Sequence, residues 1–266
     1  MKYKALILIV YSLLFVSCSE YVKLQKSTDP ETKFIAGKNF FMEKKYTKSI
    51  TMFESVIHYY RGTPQAEEVM YFIAESYLGQ KNYYSASEYY NAYIRNFPRG
   101  KFSQDVTYKI AYCYYKDSPD ARLDQTTTEN AIQALREYIE IYPNTDKVSE
   151  CRTMLSEMED KLAYKGYLNA KLYYNLGLYG GNNYRAAIVT AENTLREYPD
   201  SKYKDDIMFI ILQSKSKEAS LSVAEKKVER FSEVIDEYYK YVNEFADDRH
   251  IKEENRIYKK AKQIVK

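Results

Sequence analysis

Side chains able to do covalent or metal chemistry are few in this chain. Its 266 residues hold three cysteines, Cys18, Cys113 and Cys151, and two histidines, His58 and His250. A metal site needs three or four such ligands at close spacing, and neither histidine has a second His or Cys at that spacing. His58 lies in Ile57-His58-Tyr59-Tyr60 and His250 lies near the C-terminus, so each reads as a structural or exposed side chain. No glycine-rich phosphate loop or nucleophile elbow is present. The acidic pairs Asp205-Asp206 and Asp247-Asp248 fall at expected helix starts or loops, where the helix dipole favours negative charge. They read as caps, not as a catalytic pair. Cys113 and Cys151 sit in apolar helical patterns and read as buried free thiols, although an exported compartment would permit a disulfide. With 40 basic and 37 acidic residues the net charge is only +3, which argues against a nucleic-acid partner. The composition, 45% hydrophobic and 29% charged, is that of a folded chain. The expectation is a protein that binds and does not catalyse, with no metal and no dissociable cofactor.

Cys18 is different, because of what precedes it. Lys2 and Lys4 are followed by an apolar run from Ala5 to Val16 and then by Ser17-Cys18. The run has signal-peptide length and falls short of the ~20 residues that span a bilayer. Phe15-Val16-Ser17-Cys18 resembles a bacterial lipobox, with Phe15 in place of the commoner Leu. That resemblance implies removal of residues 1–17, a diacylglycerol on the Cys18 thiol and an acyl chain on its new amino group. Several buried chains hold a protein durably at a membrane where one does not. Ser19 after the cysteine, by analogy with enteric sorting, favours the outer membrane. Residues 18–30 read as a polar, lipidated tether.

What must position any binding residues is a helical repeat. Glycine and proline number only 8 and 6, too few for a turn-rich β fold. Pro64 and Pro98 are 34 residues apart. Between them Met70, Ile73-Ala74, Tyr77, Ala86, Tyr90 and Tyr93 follow the small-and-aromatic spacing of a tetratricopeptide repeat. Repeat one uses Gly37, Phe40, Tyr46, Ser49, Phe53 and Val56. Repeat three uses Ile110-Ala111, Tyr114, Ala131, Leu135, Tyr138 and Pro143, with about eight extra residues at 116–123. Repeat four uses Ala170, Tyr173, Tyr184, Ala187, Ala191 and Pro199, its turn enlarged by Gly180-Gly181-Asn182-Asn183. Repeat five, Ile207–Ser220 and Ala224–Phe245, diverges most. A longer helix around Val148–Tyr164 bridges repeats three and four, and a last helix follows Arg249. Phe97-Pro98, Tyr142-Pro143 and Tyr198-Pro199 end helices, because proline disfavours helical φ/ψ in the residue before it. Asn144 and Ser201 are candidate caps for the helices that follow. The fold expected is all-α, a right-handed solenoid of about five helix pairs. Its segments are a leader (1–17), the tether (18–30), repeats one and two (31–98), repeats three to five (99–246) and a C-terminal helix or tail (247–266).

The order of motifs narrows this further. Second helices end in Tyr-Ile-Arg-Asn-Phe-Pro-Arg-Gly-Lys (93–101), Tyr-Ile-Glu-Ile-Tyr-Pro-Asn-Thr (138–145) and Leu-Arg-Glu-Tyr-Pro-Asp-Ser-Lys-Tyr (195–203). Together with Ala111–Tyr115, Lys161-Leu162-Ala163, Ala170–Tyr174 and Tyr184–Ile188, and with the lipobox, they resemble the BamD (YfiO) family of outer-membrane-assembly lipoproteins over about residues 18–245. The resemblance implies a scaffold on the periplasmic side of the outer membrane. In that family the C-terminal repeats hold a BamA-type barrel translocase by its periplasmic domains, beside other assembly-complex lipoproteins. The N-terminal repeats are linked to unfolded outer membrane proteins. The alternatives are a different repeat lipoprotein, such as a Tol–Pal-associated envelope coordinator, or an enzyme or nutrient-binding lipoprotein built on repeats. The first lacks its usual N-terminal heptads here, and the second lacks a non-repeat region long enough for a site.

The register of Gly37, Ala74 and Ala111 assigns a candidate concave face. It comprises Phe34, Lys38 and Phe41 in repeat one, Tyr71 and Glu75 in repeat two, and Tyr108, Tyr112 and Tyr115 in repeat three. Tyrosine gives rigid, amphipathic contact area, which suits an extended peptide with an aromatic end. In a chain with 31 tyrosines, many of these rings also have the plainer role of packing between helices. The basic tail (Lys259, Lys260, Lys262, Lys266) reads as a solvated face, with anionic head groups as the other partner considered.

Overall fold

Asp29 and Pro30 start the first long helix. The Asp29 carboxylate accepts hydrogen bonds from the amides of Glu31 and Thr32, and proline fills the first position, where no amide is needed. The computed structural model describes residues 20–245 and 249–266, and every regular element among them is a helix. In order they are α1 (residues 20–26), α2 (Pro30–Met42), α3 (Tyr46–Glu54), α4 (Pro64–Gly79), α5 (Tyr83–Asn96), α6 (Ser103–Asp117), α7 (Thr126–Ile141), α8 (Val148–Leu176), α9 (Asn183–Glu197), α10 (Lys204–Ser220), α11 (Ala224–Glu244) and α12 (Ile251–Val265). They form two compact units: residues up to Ser118 with Asn130–Cys151, and Pro119–Glu129 with Arg152–Lys266.

The first unit packs antiparallel helix pairs of tetratricopeptide type. At the α2–α3 crossing a β-carbon on Gly37 would stand only 2.9 Å from the Phe53 ring, so only glycine allows this approach. Ser49 Oγ donates to the Gly37 carbonyl at 2.9 Å, tying the same crossing. Phe53 is fully buried with Phe34, Val69 and Ile73, and burying one such ring contributes roughly 2–3 kcal/mol. The turns inside the first two pairs are alike. Lys44 and Lys81 both have positive φ, 59° and 60°. The next amides, of Lys45 and Asn82, reach back to the carbonyls of Phe40 and Tyr77 at 2.8 and 3.0 Å, the bond pattern of a Schellman stop.

These positions revise the repeat length. Gly37, Ala74 and Ala111 are all buried and recur every 37 residues, as do Lys44 and Lys81. Pro64 and Pro98 are not equivalent: Pro64 opens α4, whereas Pro98 follows the end of α5. The nine-residue α3 is followed by irregular turns, while α5 runs for fourteen residues, so the prolines fall out of step. The tether also carries structure. Residues 20–26 are helical, with Tyr21 edge-on to Phe40 at 5.6 Å and Lys48 above the Tyr21 ring.

In the second unit the bridging helix and the first helix of repeat four are one 29-residue helix, α8. Neither expected cap is one. Asn144 is exposed and α8 begins only at Val148. Ser201 instead donates to Asp160 of α8 at 2.7 Å, and Asp160 also accepts from the Lys202 amide, because the chain returns across α8 before α10 begins. Ala163, Ala170, Ala187 and Ala191 keep α8 and α9 close, with Ile188, Ile207 and Ile210 filling the remaining space. Ile257 and Ala261 seat α12 against Phe209, Leu212 and Phe231. Asp205 and Asp206 do lie in the first turn of α10, and they also grip Arg249 at 3.2 and 2.6 Å. His250 stacks on Phe209 at 3.9 Å, and His58 lies against Tyr59 at 4.0 Å. Asp247-Asp248 lie outside the described residues.

Candidate functional site

The eight candidate residues lie on α2, α4 and α6 of the first unit, and the structure separates them into different roles. Phe34 is 7% exposed and belongs to the core, packed on Phe53 and Tyr60. Lys38 reaches Glu68 of α4 at 3.0 Å and lies over the Phe34 and Phe72 rings. Phe41 is half-buried, edge-on to Phe72 at 5.1 Å.

Tyr71 and Glu75 are joined to α6. The Tyr71 ring stacks on Phe102 at 4.0 Å, its hydroxyl donates to Asp105 at 2.8 Å, and it accepts from Lys109 at 3.1 Å. Glu75 accepts from Lys109 Nζ at 2.5 Å and from the Tyr90 hydroxyl. Burial works against the Lys109 ammonium. The charge of Glu75 and hydrogen bonds to Asp105, Glu75 and Tyr71 nevertheless raise its pKa above the ordinary lysine value. Burial, then Glu75, pushes the Tyr71 phenol up to about 12.

The third repeat continues the row. Tyr108 donates to Glu150 at 2.8 Å and meets Tyr138 edge-on at 5.7 Å. Lys147 lies 5.0 Å above the Tyr108 ring and 3.0 Å from Glu150. Hydrogen bonds from Lys147 and Tyr108 lower the Glu150 pKa. Tyr112 lies parallel to Tyr108 at 6.1 Å, and Lys116 lies over both Tyr112 and Tyr115. Adjacent first helices are thus linked through paired acids, bases and phenols. Asp105, Lys109, Lys147, Glu150 and Phe102 belong to this row, and the sequence reading did not single them out. The available signal was the offset: Tyr71–Asp105 and Glu75–Lys109 are both 34 residues apart, about one helical turn short of the 37-residue repeat. Tyr108–Glu150 is 42, the same offset lengthened by the eight-residue insert.

The thiols take no part in this face. Cys113 and Cys151 are both free and buried. Burial raises their pKa to about 12 and about 11, with the charges of Glu75 and Glu150 adding to it, so neither is a nucleophile at neutral pH. Cys18 lies outside the described residues. No helix among the described residues is long and apolar enough to cross a membrane.

A family model described as an outer membrane lipoprotein, YfiO, matches residues 26–181. The chain belongs to the YfiO family of outer membrane lipoproteins. The YfiO match takes in all eight candidate residues and stops in the glycine-rich turn after α8. Two curated relatives are similar to the chain. One is the outer membrane protein assembly factor BamD of Caulobacter vibrioides, 32% identical over 85 residues, which is 32% of this chain and 28% of that protein. The other is the putative outer membrane protein assembly factor BamD of Aquifex aeolicus, 24% identical over 238 residues, 89% of this chain and 74% of that protein. Among solved structures, the TPR2AB domain of yeast Sti1 in its complex with pHSP90 overlays 88% of this chain and 98% of its own. Its TM-score is 0.38 and its identity 12%.

Proposed function

We propose that this chain is a lipid-anchored, non-enzymatic scaffold of the machinery that folds and inserts β-barrel proteins into the outer membrane. The observation that carries the reading is the YfiO match across residues 26–181, and both curated relatives bear assembly-factor names. In this reading Cys18 carries the diacylglycerol and the N-acyl chain, and the helical body faces the periplasm. The later repeats hold a BamA-type translocase by its periplasmic domains, in company with other lipoproteins of the complex. The first-helix face receives the aromatic-ended segment of an unfolded outer membrane protein. Phe34 is core, and Tyr71 and Glu75 are committed to Asp105, Lys109 and Tyr90. Tyr108 is likewise bonded to Glu150 and Lys38 to Glu68, so in this reading the peptide meets the Phe41, Tyr112 and Tyr115 rings.

The deciding experiment is affinity purification of the mature lipoprotein from detergent-solubilised envelopes, followed by mass spectrometry. Stoichiometric recovery of a barrel subunit with repeated periplasmic domains is expected. Recovery of a peptidoglycan-binding or constriction protein in its place overturns the reading. The peptide face has its own test. Tyr112→Ala with Tyr115→Ala should weaken binding of an aromatic-ended peptide about tenfold while helicity is kept. Unchanged affinity removes that face from the proposal.

A further inference from the structure

The scaffold reading leaves one recess of the second unit unused. It lies between the end of α8, α10 and α12 and encloses about 210 Å³. Ligand pockets for drug-sized molecules run to ~300–1,000 Å³, so this one suits a head group. Its position follows from packing. Ile257 and Ala261 are buried beneath α12, which places Arg256 and Lys260, one turn apart, on the flank that meets α10. Lys217 of α10 and Tyr174 of α8 complete the wall.

The charges do not cancel. Glu253 is the recess's one carboxylate. It is already engaged, accepting from Gln213 at 3.0 Å and lying 3.6 Å from Arg256. Lys260 donates to Ser220 Oγ at 2.8 Å and lies 5.8 Å over the Phe231 ring, two neutral partners that steady the ammonium without neutralising its charge. Lys217 has no acidic partner among the described residues. Burial and then the charge of Glu253 raise the Tyr174 pKa, so its phenol remains a donor. Beyond the recess, α12 presents Lys252, Lys259 and Lys262 to solvent, while its remaining acid, Glu254, is buried. A small recess with two uncompensated ammonium groups and a phenol donor matches an oxyanion.

We propose that this recess is an oxyanion site that takes a phosphate group, with Lys217 and Lys260 supplying the charge and Tyr174 a hydrogen bond. The phosphate comes either from the head group of an anionic phospholipid or from a free phosphate. The recess stands apart from the assembly reading and from the first-helix face, so either one can fail without the other.

The test uses the mature chain, residues 18–266, made without its apolar leader and with Cys18→Ser, so that neither the leader nor acylation masks membrane binding. One probe is inorganic phosphate, titrated calorimetrically against chloride at equal ionic strength. The other is co-sedimentation with vesicles of phosphatidylglycerol or of phosphatidylcholine. Phosphate binding, weakened about tenfold or more by Lys217→Gln with Lys260→Gln, is the expected result. Lys252→Gln with Lys259→Gln removes the same charge from outside the recess and should leave it nearly intact. Co-sedimentation with phosphatidylglycerol alone, lost in the recess variant, assigns the site to a lipid head group. Phosphate binding without vesicle discrimination supports the site with a soluble source. Binding of neither probe overturns the proposal, and so does an equal loss in both variant pairs. Unchanged circular dichroism and melting temperature in each variant separate these outcomes from misfolding.

Discussion

Lys109 shows at the residue scale why so many tyrosines and acids share this chain. Its ammonium lies within 2.7 Å of Asp105 and 2.5 Å of Glu75, and both it and Glu75 are largely buried, at 17% and 15% exposure. In such surroundings an ion pair barely repays its desolvation, but removing one partner strands the other. Lys109→Met should therefore cost about 3 kcal/mol in urea unfolding, while Lys109→Met with Glu75→Gln should recover most of that loss. Equal losses in the single and double variants would mean that Glu75 is solvated by other means. Tyrosine serves the same need more cheaply, because a phenol is a neutral donor. Tyr60 donates to Glu31, Tyr77 and Tyr89 donate to Glu54, Tyr93 to Glu67, and Tyr241 to Asp205. Each such bond joins residues from different helices or from a helix and its neighbouring turn. No single residue in the sequence announces these bonds, because donor and acceptor stand 15 to 42 positions apart.

At the scale of elements, the informative feature is how each helix stops. Tyr-Pro and Phe-Pro endings were legible in the sequence, and α5, α7 and α9 do end beside Phe97, Tyr142 and Tyr198. The stops inside the first two pairs were not legible, because they use lysine where glycine is usual. Lys44 and Lys81 hold φ near 60°, a region where a β-carbon crowds the backbone and costs about 1–2 kcal/mol. Lys81→Gly should relieve that strain, offset in part by the greater freedom of glycine in the unfolded chain, for a net gain of about 0.5–1 kcal/mol. A higher melting temperature checks it, and a lower one would mean that the lysine side chain contributes more than its backbone costs. The long α8 was likewise divided in the sequence reading, since its first and last turns carry different motifs and nothing between them marks continuity.

For the whole molecule, the phenol–carboxylate bonds set the response to pH. Burial and neighbouring acids raise the pKa of Tyr60 and Tyr71 from 10.0 to about 12, and those of Tyr89, Tyr90, Tyr93 and Tyr108 further. Below pH 10 these phenols are protonated in both the folded and the unfolded chain, so their contribution is complete. Above it the unfolded chain releases protons that the folded chain retains, and stability falls as pH rises. The melting temperature should be nearly level to about pH 9.5 and drop steeply beyond 10. A melting temperature that stays level through pH 11 would show that these phenols ionise alike in the folded and the unfolded chain.

The sequence by itself determined the helical class, the small-and-aromatic crossings, the helix ends before proline and the family resemblance. The first three depend on residues within a turn or two of one another, and the resemblance depends on the order of such local motifs along the chain. The tertiary structure decided the rest. It moved Phe34 from the candidate face into the core and committed Tyr71 and Glu75 to α6. It also turned Ser201 from a cap into a partner of Asp160, and it brought Lys217 and Lys260 to one recess. Each of these depends on which side chains from separate helices meet. That is settled by the crossing of packed helices, and the spacing along one helix does not reveal it.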